Sequence, residues 1–256
     1  MLAVSASTSV LFTHASSIQF GLFAATLVGL WAVEVWLLPL AVGRKLAHAA
    51  GNGLFVLGAL PVQIAMSALC VVVTAWVANH QWGLIYLLPD SIGVAGRWLA
   101  AFVMLDFLDY AYHLSMHKLP FLWRFHKAHH ADSIVDVSTT VREHPCETFV
   151  RNAYLQLWVC LTGATVEVLV LRQLAETAIN PWAHTGVRLP DAVARYISWL
   201  VVTPNFHRVH HHARLPHTDS NFGDVFTVWD RLFGTLRHLP ERELAFGLLA
   251  ASVRRS

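Results

Sequence analysis

Apolar residues in this chain run in long blocks instead of alternating with polar ones. A helix needs about 20 apolar residues to cross a bilayer, and residues 18–42 and 52–78 both reach that length. Glu34 interrupts the first block, and Pro61 predicts a kink in the second. A third block, about 92–112, carries Asp106 and Asp109 in its lower half, a costly placement in lipid unless both turn inward. The stretch 147–180 is too long for one simple span and has Gly163 near its middle. If His144 before it and His184 after it face one site, the chain must enter and return on the same side. The pattern therefore predicts a helical hairpin turning near Thr162-Gly163-Ala164. Each arm holds roughly 16 residues, about 24 Å at a rise of 1.5 Å per residue, most of a ~30 Å hydrocarbon core. From residue 189 the chain is more polar. Residues 192–202 read as an interfacial helix, and 207–212 as one end of another, between Pro204 and Pro216. The expected fold is all-α: a polytopic membrane helical bundle with a cytoplasmic, histidine-rich helical cap. No internal repeat or linker divides the chain, so 1–256 is read as one domain.

Composition agrees with the blocks. The chain is 55% hydrophobic and 13% charged, against about 25% charged in an ordinary soluble domain. Its ten Trp suit a lipid–water interface. A net charge of +2 with no basic face argues against a nucleic-acid partner. Cys70, Cys146 and Cys160 have no metal or redox spacing and read as apolar fillers. Residues 1–17 lack the positive region and cleavage site of a secretory signal, so the first block is expected to be retained. Arg44 and Lys45 follow the first block, the loop 79–96 has no Lys or Arg, and Lys118, Arg124, Lys127 and Arg142 follow the third. By the positive-inside rule the first loop and the histidine-rich region are cytoplasmic. The expected location is an inner bacterial membrane, or the endoplasmic reticulum in a eukaryote.

The histidines carry the chemistry. His113 and His117, then His126, His129 and His130, then His207, His210 and His211 fall at spacings of three, four and one. On a helix, residues three or four apart share a face. Each cluster can thus aim two or three imidazoles at one point. Imidazole suits iron, zinc, copper or nickel. One ion rarely needs more than four to six ligands, so eight converging imidazoles point to two metals. Scattered surface histidines are the competing reading, but chance seldom produces one H-x-x-H-H and this chain has two. His14, His48, His80, His217 and His238 show no cluster spacing and read as non-ligands.

These residues resemble the fatty acid hydroxylase / sterol desaturase superfamily of integral-membrane di-iron oxygenases. The pattern H-x3-H, H-x2-H-H, H-x2-H-H is the first match. Asp109-Tyr110, Leu122-Trp123-Arg124-Phe125-His126, Arg142-Glu143-His144-Pro145, the stretch from His184 to Pro190, Thr203-Pro204, Asn221-Phe222-Gly223 and Trp229-Asp230-Arg231-Leu232-Phe233-Gly234-Thr235 are the others. The likeness spans residues 106–235, about half the chain. Leu114 stands where many relatives have Arg, with little expected consequence. His212 extends the third cluster where relatives often have Ser or Ala, and is left outside the ligand set.

The resemblance implies two iron ions that activate O2 against an unactivated C–H bond of a lipid, with zinc as the expected replacement during purification. It adds His144 and His184 to the eight clustered histidines as ligands; either alone would read as structural. Asp109, one helical turn before His113, is the expected carboxylate behind a ligand imidazole. Asp106, Glu143, Asp219 and Asp224 are weaker candidates, for which capping or surface roles compete. Arg124, Lys127 and Arg208 are expected to contact lipid phosphates or acidic residues. The implied product is a hydroxylated fatty acyl, sterol, sphingoid or carotenoid lipid, with desaturation as the alternative. Electrons are expected from a separate ferredoxin or cytochrome with its reductase, because no flavin fingerprint, iron–sulfur Cys set or fused haem domain is visible. Three rival readings remain open. A zinc hydrolase would use three or four protein ligands. A metal transporter would place its site at the bilayer midplane. A bis-histidine haem protein would need ligands paired within the membrane.

Overall fold

The computed structural model describes the backbone of residues 6–38 and 42–248, and the side chains of 21–38 and 42–248. His14 and the leader reading of residues 1–17 fall outside the described side chains. Among the described residues the chain is all-α, its one β feature a single bridge between Val201 and Phe226. The helices are α1 (Ala6–Leu37), α2 (Val42–His80), α3 (Gly93–Lys118), α4 (Pro120–His130), α5 (Pro145–Thr162), α6 (Val166–His184), α7 (Asp191–Ile197), α8 (Pro204–His210) and α9 (Val228–Leu232).

The apolar blocks set the existence of the long helices but not their ends. The first and second helices start 12 and 10 residues earlier than the blocks, and the third continues six residues beyond its block to Lys118. Polar residues propagate a helix as well as apolar ones do, so hydropathy marks immersion and not helicity. Pro61 lies inside α2, and the helix continues through it. Two segments, Val42–Leu87 and Asp90–Lys118, are long and apolar enough to cross a membrane. Outward-facing Trp36, Leu54, Leu57, Ile64, Val71 and Val72 make the exposed sides of α1 and α2 apolar.

The stretch 147–180 folds as two helices, α5 and α6, joined by a turn at Gly163. α5 ends on Gly163, whose φ of 80° is a left-handed C-cap conformation. A side chain there would also meet the Trp82 carbonyl at 2.7 Å. α6 then returns to the end from which α5 began. α1 packs against α6 and α2 against α5. Around the turn, Ile85, Ala101, Leu105, Ala164 and Val168 form a small apolar core.

The other end is polar and buried. Glu34, fully buried, accepts hydrogen bonds from Thr185 Oγ1 (2.7 Å), the Gly186 amide (2.5 Å) and the Val137 amide (3.3 Å), with Lys45 Nζ at 3.4 Å. His48 lies between Asp132 (2.7 Å) and Asp136 (3.0 Å). Asn52 donates to Asp132 and accepts from Arg142 Nη1 at 2.9 Å. These contacts bind the lower ends of α1 and α2 to the segment between α4 and α5, which supports the histidines.

Candidate metal centre

Proline and its neighbours place two of the histidine-bearing helices. α4 and α8 start with Pro120 and Pro204 in the first turn, where proline's missing N–H costs nothing and its φ is already helical. Thr203 caps α8 through its side chain, which accepts from the Phe206 amide. α4 therefore begins six residues before His126, and α8 three before His207.

The structure gathers nine histidines into two groups. His113, His117, His126, His130 and His210 form one, and His129, His184, His207 and His211 the other; within each, the ligand nitrogens lie within 4.8 Å of one another. The division cuts across the sequence clusters. On α4, His126 and His130 serve the first group and His129 the second. On α8, His210 serves the first, with His207 and the C-cap residue His211 turned to the second.

Most of these rings are oriented by an oxygen behind Nδ1. His113 donates to the Phe222 carbonyl (3.0 Å), His210 to the Ser220 carbonyl (2.8 Å), His129 to the Arg142 carbonyl (3.2 Å) and His184 to the Asn180 carbonyl (2.8 Å). His126 donates to Glu147 Oε1 at 2.6 Å. A neutral imidazole has a single N–H, so in each of these rings Nε2 keeps its lone pair. Nε2 of His126 and of His210 is buried with no hydrogen-bond partner among the described residues. Nε2 of His184 faces Nε2 of His129 at 3.1 Å. With both N–H groups committed to carbonyls, these lone pairs repel unless a cation lies among them. The residues thus fit metal ions: orphaned, inward-facing nitrogen donors in two compact sets, with oxygens behind them. Burial pushes His126 and His129 down to about 3. It also holds His130, His207, His210 and His211 well below the ordinary imidazole range, neighbouring imidazoles adding to the effect. Neutral imidazole is the form that binds metal.

Two expectations need correction. His144 joins neither group: it is the N-cap of α5, accepts the Cys146 amide on Nδ1 (3.1 Å) and stacks on Phe125. An X-Pro step starts α5 here, and capping uses the nitrogen that a metal would need. Asp109 does not support a histidine. It makes a two-pronged ion pair with Arg172 at 2.7 and 2.8 Å, and the His113 ring rests instead on a backbone carbonyl. Arg208 meets an acidic residue, one of the two contacts expected of it: it is turned inward, to the Val135 carbonyl and Glu241.

Glu147 supplies a supporting carboxylate that the sequence did not reveal. It lies 21 residues from His126 on a different helix, and no spacing rule joins them. Among the weaker candidates, Asp219 lies 3.4 Å from His117 Nδ1 and also pairs with Lys118. Asp106 accepts from the Val225 and Phe226 amides and from Trp229 Nε1. Glu143 pairs with Arg151. Asp224 lies with Asp109 and Glu176 in a compact acidic set; burial first, then the charge of Asp109, pushes its carboxyl up to about 7 against the pull of Arg172. His212 lies outside both groups, with Nε2 on the Glu243 carbonyl, and His80 is exposed on α2.

The C-terminal motif explains the His113 contact. Asp230, fully buried, accepts from the Phe222 and Gly223 amides (both 2.8 Å) and from Thr235 Oγ1 (2.6 Å). That clamp sets the Phe222 carbonyl against His113. A side chain at Gly223 would meet the Phe226 carbonyl at 2.5 Å.

A cavity of about 650 Å³ opens beside both groups, reached by His113 and His126 of the first and by His129, His184 and His207 of the second.

The chain is similar to several known proteins. The fatty acid hydroxylase family model matches residues 98–235. Ornithine lipid hydroxylase OlsE of Rhizobium tropici is 29% identical over 63% of this chain and 46% of its own length. Alkylglycerol monooxygenase of Xenopus tropicalis is 28% identical over 59% of this chain and 32% of its own. Cholesterol 25-hydroxylase of Mus musculus is 29% identical over 59% and 50%. The chain thus spans about half or less of these relatives. No solved structure matches it.

Proposed function

This chain belongs to the fatty acid hydroxylase family, and from that premise we propose that it is a multi-pass membrane oxygenase that hydroxylates a lipid C–H bond. The observation that carries the reading is the pair of buried histidine groups whose free nitrogens face one another. Two iron ions bound there would supply O2 activation. The overall change takes a C–H bond, O2, two electrons and two protons to an alcohol and water. The electrons come from a separate ferredoxin or cytochrome with its reductase. The named activities of relatives, on ornithine lipid, alkylglycerol and cholesterol, support a lipid substrate.

The chain's own residues have definable tasks. The carbonyls of Phe222, Ser220, Arg142 and Asn180 and the Glu147 carboxylate hold five imidazoles in the tautomer that presents Nε2. Asp230 fixes the Phe222 support. The Glu34 and Asp132–Asn52–Arg142 networks hold the segment between α4 and α5 in register. The apolar outer faces of α1 and α2 favour placing the cavity beside the bilayer, with the histidines at its cytoplasmic boundary.

The test is product analysis with 18O2 in a host carrying or lacking the protein. A lipid alcohol containing one 18O atom is expected, and its loss in His129→Ala and His210→Ala. A new double bond without labelled hydroxyl would replace hydroxylation by desaturation. Reversible metal flux, or one tightly held zinc with hydrolysis of a lipid, would overturn the oxygenase reading.

A further inference from the structure

The cavity is unusual for a lipid site in its charge. Asp109, Glu143, Glu147, Glu176 and Asp224 reach it, but only Arg151 and Arg172 answer them. Both guanidinium groups are already engaged. Arg172 binds Asp109 in two places and Glu176 at 2.5 Å, and Arg151 binds Glu143. Asp224 lies within 4.8 Å of Asp109 and Glu176 and shares a hydrogen bond with Glu176, but among the described residues it has no ion pair with an arginine or lysine.

A second observation points to a ligand here. Tyr112, only 9% exposed, lines the same cavity, and its hydroxyl has no hydrogen-bond partner among the described residues. Glu147 Oε2 and Thr140 Oγ1 are likewise buried, unpartnered and on the cavity wall. These are oxygens that can accept. Hydrocarbon packed against them would leave carboxylates desolvated and unpaired. The Arg172 guanidinium already lies between Asp109 and Glu176, so the set is not a cage of three free carboxylates for a metal ion; a further cation is left with Asp224 and the side of Glu176 that faces it. The wall is different at α1 and α2, which contribute Phe23 and the exposed Ile64. There an apolar chain can leave the cavity sideways.

We propose that the substrate is a lipid whose polar head carries a cationic amine, held by Asp224 and Glu176, with its tail leaving past Phe23 and Ile64. The inference rests on the lipid-oxygenase reading and deepens it. Asp109, in contact range of Asp224, is four residues before His113, about 6 Å along the helix. The carbon that reacts therefore lies within a few bonds of the head group, not far along an acyl chain.

Binding is measured apart from turnover. Zinc-loaded protein in detergent is titrated with three synthetic lipids of identical chains bearing an amine, an N-acetylated amine or a hydroxyl. The amine lipid is expected to bind at least tenfold tighter than its N-acetyl form. Asp224→Asn and, independently, Glu176→Gln should abolish that preference while two metals remain bound. Equal binding of the three lipids, or a preference that survives both substitutions, overturns the proposal. So does loss of metal from Asp224→Asn without change in preference, since the acids would then serve the metals alone. Turnover by the iron-loaded protein under 18O2 separates the two readings. Label far from the amine overturns this proposal and leaves the oxygenase standing. Selective amine binding with no oxidised product from any of the three lipids, in the presence of a competent electron donor, overturns the oxygenase and leaves the binding site standing.

Discussion

Replacing Glu147 tests whether the histidine groups are metal sites supported from behind. Glu147 Oε1 accepts from His126 Nδ1 at 2.6 Å, and the residue is 4% exposed. Water cannot easily take its place. Partners behind a ligand are typically worth 10–100-fold in metal affinity, which is about 1.4–2.8 kcal/mol at 1.4 kcal/mol per decade. Glu147→Ala leaves the Nδ1–H unsatisfied and should fall near the upper figure. Glu147→Gln keeps an acceptor oxygen and loses only the charge. A charge-assisted hydrogen bond is roughly twice as strong as a neutral one, so a loss of about 1 kcal/mol, or roughly fivefold, is expected. The assay is competition for zinc or ferrous iron against a chromophoric chelator in detergent. Only the group holding His126 should weaken; the group of His129, His184, His207 and His211 serves as an internal measure of folding. Glu143→Gln, whose carboxylate pairs with Arg151, should have a smaller effect. Wild-type affinity at both groups in Glu147→Ala, alongside loss of one metal in His126→Ala, would refute the reasoning.

Three further outcomes are expected. His184→Ala should reduce metal content from about two per chain to about one, whereas His144→Ala should retain two; elemental analysis of anaerobically loaded protein decides, and the reverse pattern would restore His144 to the site. The metal-free protein should lose stability as pH falls from about 6.5 toward 3. His126 and His129 sit at about 3 in the folded state, against an ordinary 6.5, so in that window the unfolded chain binds more protons and stability rises with pH. The slope is about 1.4 kcal/mol per pH unit for each such group; a thermal midpoint that does not fall between pH 7 and pH 5 contradicts it. Gly163→Ala should lower the thermal midpoint, because the left-handed backbone alone costs about 1–2 kcal/mol with a side chain and the added carbon meets the Trp82 carbonyl at 2.7 Å; an unchanged midpoint would mean that the turn relaxes freely.

The sequence revealed what depends on local period, and missed what depends on angle and on distance along the chain. Spacings of three and four put His126, His129 and His130 on one helical stripe, and the structure keeps them there. Which side of the stripe each ring serves was not legible. His129 differs from its neighbours by about 100° of helix rotation per residue, enough to send it to the second group while His126 and His130 stay with the first. α8 repeats this split with His210 against His207 and His211. The break between α5 and α6 was legible because Gly163 interrupts one long apolar stretch, and the return of α6 because His184 had to come back to the other histidines. Its companion argument, that His144 is a ligand, fails for a local reason: a histidine directly before a proline that opens a helix is placed to cap that helix. Asp109 failed for a long-range one. One turn from His113 is close enough to support it, but Arg172, 63 residues away, offers a charged two-pronged partner that a neutral imidazole cannot match. The same logic explains Glu147, visible only once α5 is folded against α4. Supporting groups at this centre are chosen by which helices meet, and the meeting is set by buried polar contacts such as those of Glu34 and Asp230. Those two carboxylates touch no histidine in either group, yet they hold the backbone on which the ligands and their carbonyl supports stand.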